Sequence, residues 1–270
     1  MTKTAKKAPK VQTVSKPFLR GKPTDRNTVK KAAAFLGVLL MMTFVTVIAC
    51  SMFLSGGTAI KIILNAAVEL LILTICFSNG SSAGTDDVAK GEVLLQQRND
   101  GRPEDPIETA TAWHPLKGFT LAILGSLLIL IVAVILAATA QKVMTGSGAL
   151  PNWVDAYKTR DGVGAALSAY SRTTPATVTS LARMIVRLFL MPYVSMIGAE
   201  NKDALLLLER LSPLVVLLPA IAYGIGYLQG PSMRARVHTE IHENLKKRKK
   251  KETKERKKRA AAMKEPEQLN

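Results

Sequence analysis

Long apolar stretches alternate with polar segments along this chain, and four of the stretches are long enough to cross a membrane. Residues 119–140, for example, contain no charge and no proline, and a single glycine. A helix of that length covers about 33 Å at 1.5 Å per residue, which matches the roughly 30 Å thickness of bilayer hydrocarbon. The pattern predicts membrane spans over residues 32–53, 58–77, 119–140 and 211–228.

A fifth apolar stretch, residues 174–199, differs from the others because it carries Arg183 and Arg187. Their spacing of four places both guanidinium groups on one helix face, and Pro192 interrupts the helix just beyond them. This pattern predicts an amphipathic helix in the membrane interface or a re-entrant helix in the bundle. A fifth span over the same residues is the alternative.

The segment between the second and third predicted spans, residues 78–118, is polar and slightly acidic. Its Gly- and Ser-rich start is typical of a loop, and residues 88–98 favour a short helix. Trp113 precedes the third span closely, as expected of an aromatic anchor at the membrane interface.

The predicted fold class is therefore all-α: a polytopic membrane protein with four transmembrane helices and one amphipathic or re-entrant helix. Residues 1–31 form a basic tail that is expected to be disordered, because it is rich in lysine and proline and poor in apolar residues. Residues 32–228 form the membrane domain, and residues 229–270 form a polybasic tail.

Charge sets the expected topology. The net charge is +17, and of the 37 Lys and Arg residues ten lie in residues 1–31 and fourteen in residues 230–270. Because basic segments flanking membrane spans stay in the cytoplasm, we expect both termini there, in the plasma membrane. Both ends on one side require an even number of spans, which favours four over five.

Three polar residues of the second span, Lys61, Asn65 and Glu69, are spaced by four and share one helix face. Glu69 lies near the predicted mid-bilayer, where an ionised side chain costs at least ~2.5 kcal/mol. It is expected to bind a cation or proton, or to form a structural hydrogen bond. Arg183 or Arg187 is the expected ionic partner, because these are the cations of the most apolar surroundings.

The C-terminal tail contains eleven basic residues between positions 246 and 259. We expect it to fix orientation and to bind anionic lipid headgroups. A ribosomal RNA contact is the alternative, limited to phosphates because no aromatic residues are interspersed for base stacking. The residues expected to make these contacts are Lys246, Lys247, Arg248, Lys249, Lys250 and Lys251.

Signatures of catalysis and of metal binding are missing from the sequence. There is no phosphate-binding glycine motif and no Gly-x-Ser-x-Gly. His238 and His242 have the spacing of metal ligands, but no third ligand accompanies them. Cys50 and Cys76 lie near the ends of successive antiparallel spans, too far apart for a disulfide. We therefore expect no enzymatic activity, no metal and no cofactor.

These observations favour a non-enzymatic accessory or scaffold subunit that works through a partner. We expect either a membrane-protein partner or a homo-oligomer, and a homo-oligomer without a partner would favour the alternative. The alternative is a small oligomeric transporter or channel subunit that uses Glu69 in its polar path. A third interpretation is a membrane-insertion factor whose basic tail faces the ribosome.

Overall fold

A computed structural model describes residues 15–52, 58–103, 105–140, 178–198 and 201–262, together with 157, 160 and 162–164. All regular structure in these residues is helical, which confirms the predicted all-α class. In chain order the helices longer than one turn are α1 (Thr28–Met52), α2 (Thr58–Asn99), α3 (Pro106–Ala110), α4 (Lys117–Thr139), α5 (Val178–Phe189), α6 (Met191–Ile197), α7 (Lys202–Leu228) and α8 (Gly230–Ala262).

Four of these helices, α1, α2, α4 and α7, are long and apolar enough to cross a membrane, in agreement with the four predicted spans. Helix α7 begins at Lys202, well before the predicted start at residue 211. Glu209 and Arg210 do not interrupt this helix, although both are charged. The buried carboxylate of Glu209 is neutralised by ion pairs with neighbouring side chains.

Helix α2 is longer than its predicted span. Its 42 residues cover about 63 Å, twice the hydrocarbon thickness, so residues 58–77 are only its first half. The Gly- and Ser-rich stretch that follows was predicted to be a loop, and this prediction is wrong. Gly80, Ser81 and Gly84 are buried on one face of the continuous helix, so these small residues serve close packing rather than a turn.

Helices α5 and α6 form a bent pair whose axes differ by 92°. The bend falls at Leu190, two residues before Pro192. Proline has no N–H and therefore cannot continue the hydrogen bonding of the helix. With 12 and 7 residues, neither helix alone reaches across a bilayer. The additional helix predicted before the last span is thus present, in two pieces.

The chain divides into two compact units. The bundle unit comprises Asn27–Ser78 and Phe119–Gly224, and the tail unit comprises Met1–Arg26, Asn79–Gly118 and Ile225–Asn270.

The bundle unit is built around side chains of α4, the α5–α6 pair and α7. Leu136, Val186 and Val216 are buried at its centre, and α1 packs against both α5 and α6. Large apolar side chains also cover the outside, such as Phe44 at 64% exposure and Leu70 at 68%. Apolar residues on both the inner and outer faces are typical of helices surrounded by lipid.

The tail unit includes a segment that was expected to be disordered. Residues 15–25 have no regular secondary structure. The backbone N–H groups of Leu19 and Gly21 donate to the carbonyls of Gly91 and Trp113. The Phe18 ring contacts the Trp113 ring edge-on, with centroids 5.8 Å apart. The disorder prediction is wrong for these residues, because Phe18 buries apolar surface that the lysine-rich composition conceals. Residues 1–14 lie outside the described part of the chain.

Trp113 was predicted to anchor the membrane interface, but it is buried in the tail unit, where it packs with Val88 and Tyr227. Its indole N–H donates to the carbonyl oxygen of Tyr227 at 3.3 Å. A tryptophan before a span is thus used here for packing between chain segments.

A small residue at position 84 is essential for the tail unit. A methyl group on Gly84 would clash with the carbonyl oxygen of Tyr227 and lie 3.2 Å from the Cα of Gly230. We therefore expect Gly84→Ala to lower the free energy of unfolding by about 1–3 kcal/mol, measured by thermal unfolding in detergent.

Gly37→Ala is the matched control, because Gly37 is also helical but has no atom within 4 Å of the added methyl group. Alanine favours a helix by up to about 1 kcal/mol over glycine, so this variant should unfold at the wild-type temperature or slightly above. Equal melting temperatures for the two variants would contradict the close packing at Gly84.

Candidate intramembrane polar site

The intramembrane carboxyl group of Glu69 lies beside a small cavity in the bundle unit. Its partner is Tyr193 on α6, whose hydroxyl hydrogen-bonds to the carboxyl group. The cavity has a volume of about 20 Å³ and is lined by α1, α2, α7 and the bend between α5 and α6. Its lining residues include Leu39, Thr43, Thr46, Glu69, Tyr193, Val215 and Pro219.

Asn65, one turn before Glu69, is fully buried and hydrogen-bonded on both sides of its amide. Its Oδ1 accepts from the thiol of Cys50 at 3.0 Å, and its Nδ2 donates to the backbone carbonyl of Lys61 at 2.8 Å. The same Nδ2 donates to the hydroxyl of Ser195 at 3.1 Å. Asn65 therefore links α1, α2 and α6. Cys50 and Cys76 are both free thiols.

Arg183 and Arg187 pair with Glu209 on α7, in place of the predicted partner Glu69. The Nε of Arg183 lies 2.8 Å from Oε1 of Glu209, and Nη2 of Arg187 lies 2.6 Å from the same oxygen. The expected pair with Glu69 is thus corrected. The rotation of α5 about its axis directs both guanidinium groups toward α7, and this rotation cannot be read from spacing alone.

Glu209 is the residue that sequence reasoning missed. The predicted fourth span begins two residues after it, at residue 211, yet the side chain of Glu209 is only 3% exposed. A signal was present: Glu209 follows four consecutive leucines, 205–208, so a continuing helix places it in apolar surroundings. A buried carboxylate needs cationic partners, and the two arginines of α5 were the available ones.

A second buried charge cluster lies in the tail unit, centred on Lys117. Its ammonium group has no exposed surface and lies 2.7 Å from a carboxylate oxygen of Asp25 and 3.2 Å from one of Asp87. It also donates to the carbonyl oxygen of Thr111 at 2.7 Å. The hydroxyl of Tyr227 donates to Asp87 at 2.8 Å. The cluster therefore joins the N-terminal segment, α2, the start of α4 and the end of α7.

Glu92 lies on the second half of α2, beyond the predicted span, and its carboxylate binds two side chains of α8. Arg234 donates to it at 3.0 Å, and Nε2 of His238 lies 2.7 Å from its other oxygen. Burial would raise the pKa of the Glu92 carboxyl, but the hydrogen bonds from Arg234 and His238 outweigh burial and hold it below its usual value. His238 thus has a carboxylate partner, and no group of three metal-ligating side chains occurs among the described residues.

The basic residues proposed for lipid contact lie on α8, the 33-residue helix that starts at Gly230. All six, at positions 246–251, are exposed. Their charge is therefore accessible to a headgroup or a phosphate.

No protein-family model matches the chain, and neither a curated protein nor a solved structure matches it.

Lys117 is expected to be essential for stability. Lys117→Met keeps the length of the side chain but leaves Asp25 and Asp87 without their shared cation, a loss of about 3–5 kcal/mol for a buried pair. We expect low accumulation in membranes and a lower melting temperature of the purified protein. Lys90→Met is the matched control: Lys90 also contacts Asp87, at 3.4 Å, but is half exposed, so the change should be below about 1 kcal/mol.

Glu209→Gln should destabilise the bundle unit, because it removes the charge that neutralises Arg183 and Arg187. Glu209 is buried, but the side chains of Arg183 and Arg187 are 17% and 36% exposed, so we expect a loss of about 1–3 kcal/mol, measured by thermal unfolding in detergent. Arg210→Gln, at the exposed neighbouring position, should unfold as the wild type does. A Glu209→Gln variant of unchanged stability would show that the arginines do not depend on this carboxylate.

Proposed function

We propose that this protein is a non-enzymatic accessory or scaffold subunit of the plasma membrane, with four spans and both termini in the cytoplasm. The basic ends support the orientation, because they carry 24 of the 37 Lys and Arg residues, and basic flanks remain on the cytoplasmic side.

The contacts within the tail unit support the same topology independently. Asp25, Lys117 and Tyr227 belong to the segments before α1, at the start of α4 and at the end of α7, and all three contact one another or Asp87. Segments in contact lie on the same side of a membrane. An even number of spans therefore separates Lys117 from Tyr227. Helices α4 and α7 supply two, which favours a re-entrant α5–α6 pair over a fifth span.

The observation that carries the proposed role is this folded tail unit. With both termini cytoplasmic and four spans, the segment between the second and third spans is cytoplasmic too. These three segments pack into one body around the buried Lys117, and α8 presents an exposed basic surface. Such a body provides a binding platform that the chain connects to the membrane spans.

The platform suits an anionic surface or partner, and each Lys or Arg near anionic lipid adds about 1 kcal/mol. The apolar outer faces of α1 and α2 suit a membrane-protein partner. The basic residues that would contact headgroups are those at positions 246–251.

Affinity purification of the tagged protein in mild detergent, at low and high salt, tests this role. We expect a stoichiometric membrane-protein partner that is retained at high salt, because apolar contacts between spans are insensitive to screening. A variant with glutamine at all six positions 246–251 should keep this partner and lose lipid binding. In a charge-preserving variant, the five lysines at these positions are replaced by arginine and Arg248 by lysine. This variant should keep both the partner and the lipid binding.

Other results would redirect the proposal. A ribosomal signal that is lost at high salt and in the glutamine variant would favour a membrane-insertion factor. A homo-oligomer without any partner would contradict the accessory role. It would favour the second candidate, a small oligomeric transporter or channel subunit, which is supported by the cavity beside Glu69.

A further inference from the structure

The cavity beside Glu69 has the composition of a binding site for a small cation. It lies where α1, α2 and α7 meet the bend of the α5–α6 pair, and its volume of about 20 Å³ holds a single water-sized occupant. The polar groups on its lining come from Thr43, Thr46, Glu69 and Tyr193. All of them are oxygens.

These oxygens are acceptors, because the hydroxyl protons are already used. Thr46 donates to the carbonyl oxygen of Thr43 at 2.7 Å, and Thr43 donates to that of Leu39 at 2.9 Å. The Tyr193 hydroxyl hydrogen-bonds to the Glu69 carboxyl group. The lone pairs of the two threonine hydroxyls and the carboxylate therefore remain for an occupant.

Pro219 leaves a backbone carbonyl of one lining residue without its usual helical hydrogen bond. Because proline has no N–H, the carbonyl of Val215 loses its helical donor, and both residues line the cavity. Elsewhere in α7 the carbonyl of Glu209, freed in the same way, accepts from the hydroxyl of Ser212 at 2.7 Å. The residue before Pro219 is Leu218, which has no such hydroxyl.

We propose that this cavity binds one dehydrated monovalent cation of the size of sodium, with the Glu69 carboxylate, the hydroxyls of Thr43 and Thr46, and the freed carbonyl as its oxygen ligands. Hard cations prefer oxygen ligands, and helix interruptions are where membrane proteins expose carbonyls to such ions. A single carboxylate neutralises a single positive charge, which excludes a divalent ion from an apolar bundle.

A water molecule fits this site less well than a cation. A water molecule would donate its two protons to two of these oxygens but receive no hydrogen bond in return, because among the described lining residues the hydroxyl protons already point to other oxygens. A cation is coordinated by all of the oxygens together. The inference depends on the cavity alone, and it holds whether the protein is an accessory subunit or a transporter.

The test is the thermal unfolding of the purified full-length protein in detergent, in NaCl, KCl or choline chloride of equal ionic strength. A ligand that binds only the folded state raises its stability with the logarithm of ligand concentration. We expect a saturable rise of the melting temperature in NaCl and none in KCl or choline chloride.

Two variants locate the site. Glu69→Gln should abolish the sodium response, and Thr46→Val, which replaces a ligand oxygen by a methyl group of similar size, should raise the half-saturating NaCl concentration at least tenfold. Thr74→Val is the matched control: Thr74 is exposed on α2 and donates to the Leu70 carbonyl of its own helix at 2.7 Å. It should respond to sodium as the wild type does.

Equal melting temperatures of the wild type in NaCl and choline chloride would overturn the proposal. So would a wild-type sodium response in both Glu69→Gln and Thr46→Val. If Thr46→Val does not fold, Thr43→Val takes its place, because Thr43 lines the same cavity. The partner purification is independent of these results, so the site and the accessory role fail separately.

Discussion

Lys117 lies between the carboxylates of Asp25 and Asp87 with no exposed surface, and the tail unit depends on this interaction. A buried ammonium group is unfavourable unless opposite charges and hydrogen-bond acceptors surround it. Here two carboxylates and a backbone carbonyl do so, and they come from segments far apart in the chain. The same pairing that removes the desolvation penalty therefore holds the N-terminal segment and α2 at the start of α4.

The bundle unit follows the same rule in a more apolar setting. Glu209 lies within contact of Arg183 and Arg187, and the amide of Asn65 is satisfied by Cys50 and Ser195. Each of these groups is matched by partners from another helix, so they fix which helices are neighbours. Glu69 differs: its hydrogen bond to Tyr193 leaves carboxylate lone pairs facing a cavity, which is why the ligand proposal centres on this residue.

Glycines and prolines have distinct uses in the two units. Gly84 permits the end of α7 and the start of α8 to lie against α2. Any side chain at position 84 would clash with the carbonyl oxygen of Tyr227. Pro192 marks the 92° bend between α5 and α6, and Pro219 frees a carbonyl within α7. Glycine and proline in a sequence usually indicate a loop or a helix end, but these three residues lie inside helices.

The sequence by itself determined the all-α class, the four apolar helices and the extra helix before the last of them, because hydrophobic periodicity and length are local properties of the chain. The tertiary structure decided the partners of the charges. Arg183 contacts Glu209 instead of the predicted partner Glu69, and Lys117 lies at the centre of a buried charge cluster, which its position next to a span does not reveal. The N-terminal segment, too, is ordered by contacts that its composition does not reveal. Such pairings depend on the rotation of each helix about its axis and on segments that are distant in sequence, and neither is encoded in the spacing of residues along one helix.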